Sequence, residues 1–198
     1  INFKNQIYKI PKYTPKILLE EAKLFTEWYT YKKLKKSEQK KFKNLFFKIV
    51  KNLTKKIHQK NDTFVHRDFH ISNLMMVKND IGVIDSQDAL IGNKAYDLAS
   101  LIDDVRFETS VELKKKIYNF YLKTQKKINK KSFKNDFEII SVLRNLKIIG
   151  IFTRLAVRDN KKKYLKLIPY AWKLIKLRSQ NDNFRDLNKL LKVLKKNK

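Results

Sequence analysis

The sequence predicts a mainly α fold with one small β-hairpin, and three observations lead to it. Apolar residues recur at helical spacing through most of the chain. Strand-like apolar runs flank a turn only at Leu74–Val77 and Ile81–Ile84, around Lys78-Asn79-Asp80. No internal repeat and no glycine-rich or proline-rich linker divides the 198 residues, and a hydrophobic content of 42% is enough to fill one core. A single domain over residues 1–198 follows, helical over 1–60 and 108–198, with a loop, hairpin and helix between them.

The elements follow in order. Thr14-Pro15 reads as an N-cap with proline at the first helical position, and Leu18, Ala22, Phe25, Trp28 and Tyr29 continue a helix to about Leu34. Ser37 is the expected cap of a second helix with the stripe Phe42, Leu45, Phe46, Ile49, Val50, Leu53 and Ile57, broken by Lys60-Asn61-Asp62. After the hairpin the chain is expected to turn through Ile91-Gly92-Asn93 into a helix burying Leu98, Leu101, Ile102 and Val105. Further helices are expected at about 110–126, 133–158, 161–178 and 184–196. Ser110 and Ser132 are their expected caps, Pro169 marks a kink, and the basic tail from Lys189 is expected to fray at its end.

Residues 64–88 carry the chemistry. His66-Arg67-Asp68, with Asn73 five residues beyond Asp68 and Asp85 after the hairpin, has the spacing of a phosphoryl-transfer centre. Such a centre needs an acceptor hydroxyl held in line and oxygen ligands for Mg²⁺. Asp68 is the expected catalytic base, and Asn73 and Asp85 are the expected metal ligands, brought together at the open end of the hairpin. His66 is expected to brace the loop by hydrogen bonding, and Asp97 to hold its backbone from the following helix. Arg67 and His70 border the acceptor side, where they either touch substrate or balance the acids. Asp88 is either a further ligand or a capping, solvent-facing acid. Arg106, Arg154 and Arg158 suit a carboxylate on the acceptor, although ion pairing is the ordinary use of such residues. Trp28, Tyr29 and Trp172 read as packing residues.

Composition narrows the field. With no cysteine there is neither a disulfide framework nor a thiolate metal site, and His58, His66 and His70 lack a zinc spacing. The formal charge of +28 comes mostly from lysine, with seven arginines, and accompanies many Asn and Ile residues, as AT-rich coding produces. The lysines are spread along helix faces, so no specific nucleic-acid partner is expected. Arg144, Asn145 and Lys147 interrupt the most apolar region, Phe137 to Leu155, and no signal segment is evident, so a cytoplasmic protein without a membrane span is expected.

The residues His66-Arg67-Asp68-Phe69-His70-x-x-Asn73-Leu74-Met75, Ile84-Asp85-x-Gln87-Asp88-Ala89 and Gly92-x-x-x-Tyr96-Asp97-Leu98-Ala99-Ser100-Leu101 resemble the aminoglycoside phosphotransferase and choline kinase superfamily. Within it the chain is most similar to bacterial cell-wall amino-sugar kinases, also at Phe25-Thr26-Glu27-Trp28-Tyr29 and from Gly150 to Asp159. The resemblance implies the helical C-terminal lobe of a protein-kinase-like α+β fold. It also implies ATP and Mg²⁺ as cofactors, and the anomeric hydroxyl of N-acetylmuramic acid or N-acetylglucosamine as acceptor, in cell-wall sugar salvage.

The nucleotide-binding residues of that fold lie mostly in an N-terminal lobe of strands with a phosphate-contacting Lys. Here the chain starts at Ile1, has no Gly-rich loop among Gly82, Gly92 and Gly150, and shows no strand-rich stretch before residue 60, so a truncated sequence, inactive alone, is expected. Aminoglycoside, choline or homoserine kinases share the core residues, and an inactive basic binding module is the alternative of another class. A protein kinase is disfavoured because Ser86-Gln87 follows Asp85 in place of Phe-Gly and no Ala-Pro-Glu appears.

Overall fold

In the computed structural model, residues 2–3, 6–7, 9–125 and 127–196 are described. Two-residue strands β1 (Asn2–Phe3) and β2 (Gln6–Ile7) pair antiparallel. Helix α1 (Pro15–Leu24) starts where Thr14 Oγ1 accepts the Ile17 amide at 3.4 Å, with proline in its first turn. It continues through a π-helical segment, Phe25–Thr30, into the short α2 (Tyr31–Lys33), ending at Leu34. In that segment Phe25 stacks on Tyr29 at 5.4 Å between ring centroids, and Trp172 packs against both. The three aromatic rings therefore serve packing here.

Helix α3 (Lys36–Thr54) buries Phe42, Phe46, Ile49, Val50 and Leu53. Its cap is Lys35 rather than Ser37. Glu38 reaches back to the Lys35 amide at 3.2 Å, so the helix begins at Lys36 and Ser37 falls inside the first turn. Strand β3 (Asn61–Val65) then leads into the loop at Asp68.

The hairpin forms as β4 (Leu74–Val77) and β5 (Asp80–Val83), in the register Leu74↔Val83 to Val77↔Asp80. Met75, Met76, Val77, Ile81 and Val83 are exposed on it, so it stands clear of the core.

The segment expected to turn at Ile91-Gly92-Asn93 is instead strand β6 (Leu90–Asn93), antiparallel to β3. The β content therefore exceeds one hairpin. Gly and Asn signal a turn when read locally, but here the glycine serves close packing. A Cβ on Gly92 would lie 3.1 Å from Val65 Cγ2 and 3.2 Å from Tyr13 Cβ. Tyr13 also donates its amide to Ile91 at 2.8 Å, laying the chain before α1 alongside β6.

Helix α4 (Ala95–Ile102) follows, then α5 (Val111–Thr124), capped by Ser110 as the sequence indicates. Residue 126, the expected end of that helix, lies outside the described residues. Helix α6 (Lys130–Val157) is capped by Asn129, whose Oδ1 accepts the Ser132 amide at 3.0 Å; Ser132 sits one turn inside. Pro169 occupies the first turn of α7 (Ile168–Arg178), after a 3₁₀ segment at Lys162–Leu167, so it begins a helix and kinks none. Helix α8 (Arg185–Lys196) extends through the basic tail, whose last two residues, 197–198, lie outside the described residues.

Two apolar clusters make the core, and α6 runs through both. One joins α1, α3, α6, α7 and α8; the other packs β3, β6, α4 and α6 around Tyr96, Phe133 and Phe137. Polar anchors fix α6 against its neighbours. Asp136, fully buried, accepts the amides of His58 at 2.9 Å and Gln59 at 2.7 Å and the Asn93 side chain at 2.9 Å, pinning the start of β3 and the end of β6. Asp103, also buried, takes Ser141 Oγ at 2.7 Å and the Arg178 guanidinium through two bonds. Among the described residues, no helix is long and apolar enough to cross a membrane.

Gly150 sets the crossing of α6 on α1. A Cβ there would fall 2.3 Å from the Leu24 carbonyl carbon and 2.6 Å from the Phe25 nitrogen, both backbone atoms that no rotamer change moves. Gly150→Ala is therefore expected to separate the helices and to lose about 2–3 kcal/mol, the upper part of the range for overpacked cores. Thermal unfolding checks this: a midpoint lowered by roughly 5–10 °C is expected, and an unchanged midpoint would refute the tight crossing.

Candidate active site

The β3–β6 pair delivers His66, Arg67 and Asp68 to the end of β3, where α4 receives them. The Asp97 carboxylate, in the first turn of α4, accepts the His66 amide at 2.7 Å and the Arg67 amide at 3.0 Å. Ser100, one turn on, donates to the Arg67 carbonyl at 3.2 Å. Arg67 has φ 73°, a left-handed conformation that a non-glycine residue adopts only under constraint. Burial raises the Asp97 pKa above the usual carboxylate value, against the opposing pull of the two amides and of the His66 and Arg144 side chains. His66 is buried, and its Nε2 lies 2.9 Å from the Ile84 carbonyl, linking the loop to the end of β5.

Asp68 is half-buried, and its backbone carbonyl accepts the Asn73 Nδ2 at 3.0 Å and the His70 amide at 2.9 Å. That bond fixes the Asn73 side chain at the end of a 3₁₀ turn, Ile71–Asn73, with its amide oxygen directed away from the Asp68 carbonyl. The Ile84 amide donates to the Asn73 carbonyl at 3.1 Å, so the open end of the hairpin sets Asn73 beside the strand that leads to Asp85. Asp85 is exposed, with φ 71°, and Gln87 donates to its Oδ1 at 2.7 Å. Asp88 is exposed, and it is its carbonyl that meets Arg67 Nη1, at 3.3 Å. Among the described residues, no group of three or more His, Asp or Glu side chains is placed to hold a metal ion.

The Arg67 side chain reaches across to α1. It meets Glu21 of α1 at 2.6 Å, and Glu21 also takes Lys147 of α6 at 2.8 Å and the Tyr13 hydroxyl at 2.5 Å. Burial works against the Glu21 charge, but the Lys147 ammonium and the bonds from Lys147, Tyr13 and Arg67 prevail and hold its carboxyl below the usual value. A cavity of about 580 Å³ opens beside this cluster, lined among others by Lys16, Glu20, Glu21, Arg67 and Lys147. His70 is buried; burial lowers its pKa, as do Arg106 and Arg144, while Asp104 and Asp68 oppose them. Of the arginines suited to a carboxylate, Arg158 pairs with Asp159 at 2.6 Å on the surface, and Arg106 bonds Asp104 at 3.2 Å.

Sequence reasoning missed Glu21, Arg144 and Lys147. Their signal was present: Arg144 and Lys147 interrupt the longest apolar run of the chain, and Glu21 adjoins Ala22 on the buried face of α1. A charge inside an apolar stripe needs a partner, and for Glu21 and Lys147 that partner comes from another element.

Residues 8–128, more than half of the chain, match the phosphotransferase enzyme family. N-acetylmuramate/N-acetylglucosamine kinase of Neisseria meningitidis serogroup B is 35% identical over 169 residues, covering 81% of this chain and 50% of that protein. The proteins of the same name from Caulobacter vibrioides and Pseudomonas aeruginosa are each 32% identical, over 55% and 81% of this chain and 31% and 49% of their own lengths. The chain thus spans about half the length, or less, of these relatives. The matched region contains the Asp68 loop, the hairpin and the Asp97 helix: the chain belongs to the phosphotransferase enzyme family.

Proposed function

We propose that the full-length protein is a cytoplasmic kinase that transfers the γ-phosphoryl group of ATP to the anomeric hydroxyl of N-acetylmuramate or N-acetylglucosamine, in salvage of cell-wall sugars. The observation that carries the phosphotransfer reading is the clamped loop: Asp97 holds the backbone before Asp68, and the Asp68 carbonyl in turn orients Asn73. The sugar acceptor is supported by three relatives that share the name N-acetylmuramate/N-acetylglucosamine kinase.

In this reading the Asp68 carboxylate receives the hydroxyl proton while the sugar oxygen bonds to the γ-phosphorus and the bond to the ADP oxygen breaks. Asp68 is half-buried, open enough for an acceptor to reach. Asn73 and Asp85 offer an amide oxygen and a carboxylate, hard donors that suit Mg²⁺, an ion that fills its other positions with water and phosphate oxygens. Bound there, the ion supplies charge neutralisation on the phosphates. His66 joins the loop to the strand before Asp85, which keeps the base and the metal ligands in one frame.

The test is transfer from Mg-ATP to N-acetylmuramate, N-acetylglucosamine, choline and an aminoglycoside by the full-length protein, with products located by phosphorus NMR. An anomeric sugar phosphate is expected; transfer only to choline or the aminoglycoside would replace the acceptor. Asp68→Asn is expected to keep the fold and lower kcat by about 10² to 10⁴, the usual contribution of a positioned base. Wild-type turnover in that variant would remove Asp68 from the mechanism.

A second variant addresses the clamp. Asp97→Ala removes two charge-assisted bonds, each of about 1.5–3 kcal/mol. Hydrogen exchange at the His66 and Arg67 amides is expected to accelerate while kcat falls at least about tenfold. Unaltered exchange at both amides would show that the loop is held by other means.

A further inference from the structure

Arg144 is the most deeply buried arginine of the described residues. It is 5% exposed, its Nη1 is enclosed without a partner, and no hydrogen bond from its guanidinium forms within the described residues. Lys114 bonds the Ile102 carbonyl, Arg178 bonds Asp103, and Arg67 and Lys147 bond Glu21, whereas Arg154, half-buried further along α6, shares with Arg144 an enclosed nitrogen without a partner. An enclosed charge without a partner is costly, by several kcal/mol in a protein interior, and a ligand that completes it removes that cost.

Helical geometry directs Arg144 toward the loop. Ser141 and Lys147 lie one turn to either side of it on α6; the first bonds Asp103 at the end of α4, and the second bonds Glu21, which holds Arg67. Arg144 projects between those two anchors. His70 is also buried, with Nδ1 enclosed and unpartnered, and Asp104 has its Oδ2 enclosed likewise beyond its bond to Arg106. The His70 imidazole lies within electrostatic reach of Arg106, Asp104, Arg144 and Asp68.

We propose that Arg144, with His70 beside it, forms a subsite that receives the carboxylate of an acidic sugar next to Asp68. The inference rests on the sugar-kinase reading and deepens it. A guanidinium presents parallel N–H groups that match a carboxylate, and an imidazole nitrogen adds one further bond. The lactyl carboxylate of N-acetylmuramate is the group that N-acetylglucosamine lacks, so this subsite sets the preference between the two sugars.

The experiment measures kcat/KM of the full-length protein for both sugars in the wild type, Arg144→Gln and Arg144→Lys, with folding checked by thermal unfolding. The ratio of N-acetylmuramate to N-acetylglucosamine efficiency is expected to fall about tenfold to hundredfold in Arg144→Gln, the worth of a charged hydrogen bond, and to recover in part in Arg144→Lys. An equal fall for both sugars, or an unchanged ratio, overturns the subsite, as does a wild type that accepts only the neutral sugar. If Arg144→Gln does not fold, His70→Gln carries the same ratio test. A wild type that phosphorylates neither sugar overturns the sugar-kinase reading itself, an outcome distinct from an unaltered ratio.

Discussion

The loop at His66–Asp68 holds a conformation that its own residues disfavour, and one carboxylate maintains it. A left-handed residue other than glycine costs about 1–2 kcal/mol, and Arg67 adopts that conformation at φ 73°. Two amide bonds to a charged acceptor contribute about 1.5–3 kcal/mol each, so the bonds to Asp97 outweigh the strain. The helix that carries Asp97 is itself seated by Asn93, whose side-chain oxygen accepts the Ala95 amide at 2.9 Å while its nitrogen bonds Asp136. The conformation of the loop therefore traces back through β6 to α6, and everything proposed for Asp68, Asn73 and Asp85 depends on that chain of contacts.

The second organising feature is charge placed inside the fold. Glu21 sits between Arg67 and Lys147, joining α1, the loop and α6 through one carboxylate. Removing one member of such a buried set costs about 3–5 kcal/mol, because the others are left uncompensated. These internal ions are few beside the surface lysines that produce the formal charge of +28. Surface lysines contribute solubility, whereas the buried charges position a loop. The same residue types thus do different work according to whether water reaches them.

Much of the helical architecture was legible because it is local. Thr14-Pro15 and Ser110 announce helix starts that form as read, and Phe42, Phe46, Ile49, Val50 and Leu53 of the expected stripe are the buried face of α3, while Leu45 is exposed and Ile57 follows the helix. The hairpin was legible for the same reason, since two apolar runs flank a polar turn. What escaped was tertiary. Gly92 looks like a turn residue until Val65 and Tyr13 are seen to press on it, and Ser132 looks like a cap until Asn129 takes the bond. The placement of Asp68, Asn73 and Asp85 in one region follows from their spacing along the loop and hairpin. The cluster of Glu21, Arg67 and Lys147 spans three elements distant in sequence, and no local pattern carries such a contact.

Helix α6 holds its partners at fixed phases: Asp136 on the strand pair, Ser141 on Asp103, Lys147 on Glu21 and Gly150 against α1. At about 1.5 Å and 100° per residue, these contacts span roughly 21 Å of a single rigid element. A residue inserted or deleted anywhere between Asp136 and Gly150 would turn one end by about 100° relative to the other. Either the strand anchor or the close helix crossing would then face solvent. This stretch of the gene should accordingly accept substitutions far more readily than changes of length, and length variation among related chains is to be expected in the loops on either side of it.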